Sequence, residues 1–180
     1  MTDGLGKVGR SERDQAMENE TLMRCVRALA AKPDMVEFRW QSSIGSDVLT
    51  VFCHGSDVAK IVGRGGKTLN ALVRLGRALR APNRFAISEV CAVLAEESED
   101  CPFTYEQTVD LFRDVCRAAF RRNVDVTVHE ENQWVATVVG ELSRRNAADI
   151  ATAIIDLFEA VGLTIGLRGN NRLRVQINAA

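Results

Sequence analysis

The chain has no run approaching the ~20 apolar residues that a membrane-spanning helix needs, and its first 16 residues carry charges and glycines where a secretion signal would be apolar. Neither membrane insertion nor export is therefore expected. Cysteine pairing is also missing. Cys25, Cys53, Cys91, Cys101 and Cys116 form no C-x-x-C unit, and only two histidines, His54 and His129, accompany them. That spacing gives no support to a zinc site. Four of these thiols lie in apolar runs, where a reduced cysteine acts as a small hydrophobe, and only Cys101 is expected at the surface. A reducing, cytoplasmic setting follows as the expectation. Charge of one sign is absent overall, the net being −1, so only its distribution along the chain can inform.

Catalytic sets are lacking too. His54 directly follows Cys53, and adjacent strand side chains point to opposite faces, which argues against a dyad. His129 stands beside Glu130 and Glu131 and reads as a solvated residue. The acidic run Glu96–Asp100 lacks the glycine and ligand alternation of a calcium loop. Gly66-Lys67-Thr68 ends like a phosphate-binding P-loop, but Ile61 stands where that motif requires its first glycine. No enzyme activity, metal or cofactor is expected.

What is present is 46% apolar residues, enough for a packed core. Residues 1–16 read as a disordered tail. From 17 to 94 the order is helix, strand, strand, short helix, helix, strand. Leu22, Cys25, Val26 and Leu29 recur at helical spacing from about Glu18 to Lys32, and Pro33 ends them. Val36, Phe38 and Trp40 alternate with polar residues, Ser42–Asp47 makes a turn, and Val48–Cys53 is a more continuous apolar strand. Ser56 can cap a short helix carrying Val58, Ile61 and Val62. A longer helix follows from Lys67 to about Arg80, then a strand over Arg84–Val93.

Residues 95–103 are an acidic linker, and 104–180 repeat the plan. Thr104 caps a helix running to Arg122 with Val109, Phe112, Cys116 and Phe120 on one face. Two strands, Val124–Val128 and Trp134–Val139, precede a helix opening at Asn146 or Ala147. A strand through Leu173, Val175 and Ile177 closes the half. Thirteen residues, His54–Gly66, join strand to long helix in the first half; about seven, Gly140–Asn146, do so in the second, without any G-x-x-G. The fold class expected is α+β with an internal duplication.

The most informative stretch is Ile61-Val62-Gly63-Arg64-Gly65-Gly66-Lys67. Glycines let a main chain approach a phosphodiester and adopt positive φ. The helix that follows offers unpaired N–H groups and the positive end of its dipole. From Lys60 to Arg84 there are seven basic residues and no Asp or Glu. Lys67, Asn70, Arg74 and Arg77 fall on one helix face, making a basic strip, while Val58, Ile61 and Val62 offer an apolar floor for bases. A glycine turn alone is commonly just a helix cap; the pure basic charge around it carries the inference.

This segment resembles the signature loop of KH-domain proteins, and the element order is similar to the type II KH arrangement. The likeness covers about Met17–Val93 and extends to the small bacterial single-KH RNA-binding proteins of the KhpA type. The resemblance implies a type II KH domain that clamps about four nucleotides of single-stranded RNA, with an RNA-chaperone role. It places Lys60, Gly63, Arg64, Gly65, Gly66, Lys67, Asn70 and Arg74 at the RNA. The second half is then a KH-like α+β unit without the loop. The rival expectation is a protein-interaction or dimerisation scaffold, with residues 104–180 meeting a second copy or another protein. Two further expectations follow. Trp40 and Trp134 are expected to pack in the core or at a half-buried strand edge, the sharper alternative being that one stacks on a base; Glu96–Asp100 reads as a charged linker, with shielding of the basic face as a further hypothesis.

Overall fold

The computed structural model describes residues 12–43, 46–79, 81, 84–89, 103–121, 124–129, 133–139, 144–165 and 174–178. Its elements are α1 (Glu12–Leu29), β1 (Glu37–Ser43), β2 (Ser46–Cys53), α2 (Gly55–Val62), α3 (Lys67–Ala78), β3 (Phe85–Glu89), α4 (Tyr105–Phe120), β4 (Val124–His129), β5 (Gln133–Val139), α5 (Arg144–Thr164) and β6 (Arg174–Asn178). Single 3-10 turns occupy Pro33–Met35 and Arg64–Gly66. The fold is α+β.

Two sheets of identical plan result. In the first, β1 pairs antiparallel with β2 and β2 pairs parallel with β3; in the second, β4, β5 and β6 repeat that order and those senses. The first register sets Phe38 opposite Val51 and Val51 opposite Ile87. That face of the sheet therefore holds Leu49, Val51 and Cys53, all buried. β1 runs on to Ser43 and β2 starts at Ser46, so residues 42, 43, 46 and 47 of the expected turn belong to the strands, and 44–45 lie outside those described.

Helix ends show what local chemistry selects. α1 begins at Glu12, so residues 12–16, expected in a tail, belong to the helix. Glu, Arg, Gln and Ala are good helix formers, and extending an existing helix adds one hydrogen bond per residue. The rest of the expected tail, residues 1–11, is not described. α1 stops at Leu29, short of Lys32, because Pro33 disfavours helical geometry in the residue before it. The freed N–H groups of Ala31 and Lys32 donate instead to the two carboxylate oxygens of Asp57, at 3.0 and 3.1 Å. The cap of α2 is His54 rather than Ser56: its Nδ1 accepts from the Ser56 N–H at 3.2 Å. Thr104 does cap α4, in a reciprocal box with Gln107. α5 opens at Arg144, two residues before the expected start.

The helices of the two halves pack on one another, α1 against α4 and α5, and α3 against α5. Leu22 and Leu29 of α1, Leu72 and Leu75 of α3, Phe112 of α4 and Phe158 of α5 all belong to one buried cluster. Phe112 meets Phe158 edge to face, with centroids 5.0 Å apart. The halves, expected as separate domains on either side of an acidic linker, thus share a single core. Of that linker only Phe103 is described, and it packs against the core. Polar ties cross the same seam. Arg24 on α1 reaches Asp114 on α4 at 2.9 Å, and Thr164 on α5 donates to the Leu29 carbonyl at 3.1 Å. Burial pushes the Cys25 thiol up to about 12, against a smaller opposing pull from Arg24, and raises Cys116 as well. Both are packing residues.

Candidate nucleic-acid interface

The β2–α3 joint is built from one helix of two turns and a glycine bend. α2 is held from below by Ile61, which is fully buried, and by Asp57, also fully buried. Burial alone would raise the Asp57 carboxyl. The N–H donors of Ala31 and Lys32 and the Lys60 ammonium outweigh it and hold its pKa below the ordinary value. This aspartate anchors the whole joint to the end of α1.

The bend follows. Gly63 caps α2 with φ 74° and ψ 166°, and its N–H donates to the Ala59 carbonyl at 2.9 Å. A Cβ there would run into the Thr68 hydroxyl and lie 2.8 Å from the Thr68 nitrogen, so the fold itself demands this glycine. Gly65 and Gly66 are different. Both have left-handed φ, 62° and 77°, but a Cβ on either would meet nothing within 4 Å. Their outer side is open. The N-terminus of α3 has Gly66 as its cap and no side-chain hydrogen bond to its first amides. Within the bend itself the N–H groups of Gly66 and Lys67 donate to the carbonyls of Gly63 and Arg64.

Arg64, Lys67, Asn70, Arg74 and Arg77 are all exposed, while Thr68, Ala71, Leu72 and Leu75 of the same helix are buried. The expected basic strip exists as a surface. Its electrostatics differ from the sequence expectation in two places. Lys60 bonds Asp57 at 3.0 Å, and Lys67 bridges Asp156 at 3.0 Å and Glu159 at 3.5 Å, both on α5. The hydrogen bond and charge of Asp156 raise the Lys67 pKa, with Glu159 adding to the effect. Among the described residues, Arg64 has no ion pair, so it is the cation nearest the bend that no carboxylate engages. The apolar floor also changes. Ile61 belongs to the core, Val58 packs against it, and only the half-buried Val62 remains beside the bend.

Asp156 and Glu159 were missed by sequence reasoning. Their spacing of three marks one helix face, but nothing local tells that this face meets Lys67. The shielding expected of Glu96–Asp100 falls on residues outside those described. Trp40 is 44% exposed at the edge of the first sheet, and the Trp134 side chain is not described. Among the described residues no three His, Cys, Asp or Glu gather as a metal site, and no helix is long and apolar enough to cross a membrane. No family model matches the chain, and neither a characterised protein nor a solved structure matches it.

Proposed function

We propose that this protein binds single-stranded RNA without catalysing a reaction, through the Gly63–Gly66 bend and the exposed face of α3, in the manner of a type II KH domain. The observation that carries the reading is the open pair Gly65–Gly66. Their left-handed φ favours glycine, no neighbouring group fills the space where a Cβ would stand, and both lie between Arg64 and the start of α3, which has no side-chain cap. A phosphate approaching from that side meets the positive end of a helix and a guanidinium, with no Cβ in its way. Asn70 and Arg74 continue along the same exposed face. The element order from α1 to β3, with the bend between α2 and α3, supports the same reading. Lys60 and Lys67 contribute by exchanging a carboxylate for a phosphate, which makes their share weaker and less salt-dependent than a free cation's, because salt screens the pair they give up as well.

The scaffold reading has one observation on its side: the second half covers the helices of the first. That spends its helical face inside the chain, so dimerisation would have to use another surface.

The test is Arg64→Asp with Gly65→Asp, read by fluorescence anisotropy with labelled RNA tetranucleotides. Aspartate tolerates the left-handed φ better than most residues, and the site is open, so the melting temperature should stay within a few degrees of the parent. Affinity should fall at least about tenfold, as expected when a cation and an open approach are both replaced by negative charge. Unchanged affinity in the folded variant overturns the reading.

A further inference from the structure

The exposed face of α3 leads away from the glycine bend into a cleft of about 590 Å³ between the two halves. Arg74 and Arg77 line it from α3, Arg121 from the end of α4, and Asp149 and Ile150 from α5. We propose that this cleft is a second phosphate-binding station on the same RNA path, to which the second half contributes Arg121. The proposal rests on the RNA-binding reading above and extends it: a bound strand engages both halves and covers more than the four nucleotides that the bend can hold.

Three observations converge. The first is direction. From Lys67 to Arg77 the helix advances about 15 Å, all along one exposed face, so a strand leaving the bend along that face arrives at the cleft. The second is charge. Three arginines and one carboxylate, Asp149, line the cleft, and Glu18 of α1 bridges Arg121 at 3.0 Å. That bond uses Nη2 of Arg121, while a guanidinium carries five N–H donors in a planar fork suited to phosphate oxygens.

The third is backbone. Arg121 has φ 53° and ψ 34°, and it is the non-glycine residue with positive φ among those described. This is the position after a helix where glycine or asparagine is the ordinary choice. An arginine there is held in a conformation that L side chains disfavour, and what it gains is a cation on the wall of the cleft. Alanines 78 and 119 keep the walls low enough for an anion to enter.

The salt bridge to Glu18 is the competing reason for Arg121, and the two reasons separate experimentally. Full-length protein would be titrated with labelled oligouridylates of 4, 8 and 12 nucleotides at two salt concentrations. The longer strands should bind at least about tenfold more tightly than the tetranucleotide, with a steeper salt dependence. Arg121→Asn keeps the left-handed backbone and removes the cation. It should cut that gain by about fivefold and lower the salt slope by about 1, leaving tetranucleotide affinity unchanged. Glu18→Gln removes the bridge but keeps the arginine, and should retain the full gain.

No gain with length overturns the proposal and assigns the cleft to an acidic protein segment instead. An equal loss in Glu18→Gln and Arg121→Asn also overturns it, because it shows that the bridge alone matters. A tetranucleotide that binds through Arg64 while length adds nothing sinks this inference alone. A tetranucleotide that fails to bind at all sinks both.

Discussion

The two halves of the molecule share a sheet order and strand senses, and they part at one joint. Between β2 and α3 the chain uses residues 54–66 to make α2 and the glycine bend; between β5 and α5 it needs only residues 140–143. The short version shows that a strand of this sheet can feed its covering helix directly. The extra helix and the bend are thus not demanded by the scaffold. What the fold does not require is where function is free to sit. The difference has a second consequence. α5 runs 21 residues against 12 for α3, and Asp156 and Glu159 lie in the stretch beyond that shorter length. The half without the bend supplies the carboxylates that hold Lys67.

The comparison implies that the halves are similar in plan but not independent, and the largest effect should come from their common core. Phe112→Ala should destabilise the whole chain by about 4 kcal/mol, read from urea unfolding by circular dichroism. Both halves should unfold in one transition; two separate transitions would mean that each half has its own core.

A smaller loss, about 2 to 3 kcal/mol, is expected for Asp57→Ala, which leaves the Ala31 and Lys32 donors without their carboxylate. The pH dependence has a definite sign. Asp57 is lowered on folding from its ordinary value of 3.8. Its contribution is therefore fully present above that value and lost as pH falls through the lower folded one. Stability curves of parent and variant should converge toward the acid end and lie parallel near neutrality. A gap that persists at the lowest pH at which the protein stays folded would argue that packing, not charge, is what the variant lost. The corresponding joint of the second half has no described equivalent of this anchor.

The smallest effect concerns binding. Asp156→Asn with Glu159→Gln releases Lys67 to the bend, so tetranucleotide affinity should rise about threefold at low salt. The increase should shrink as salt is added, since Lys67 is more than half exposed. Isothermal titration at two ionic strengths measures it, and weaker binding would mean that the acids position the lysine instead of competing for it.

Much of this architecture could be read before any coordinates. Alternation placed β1 and β2, Thr104 and Pro33 marked helix ends, and the face holding Lys67, Asn70, Arg74 and Arg77 is the exposed one. These features depend on neighbours within a few residues, which is the range over which periodicity and capping act. One misreading was local: Ser56 gave way to His54 at a cap, a competition between polar residues two positions apart that propensity does not resolve. The others arose where distant groups meet. Ile61 was assigned to a ligand groove, but it lies under α2 in the core, because a two-turn helix has no other apolar residue at that place to bury. The charge map from Lys60 to Arg84 holds no acid in sequence, yet Asp57, Asp149, Asp156 and Glu159 approach it in space.

Element order, the repeated plan and the glycine bend were set by local chemistry: hydrophobic period, caps, and the conformations that each residue type permits. Which cations stay available, which glycine is structural and which is open, and how the halves meet were settled only by packing. Coulomb and steric interactions act through space, and residues 92 positions apart along the chain, such as Lys67 and Glu159, are neighbours only once the core has closed.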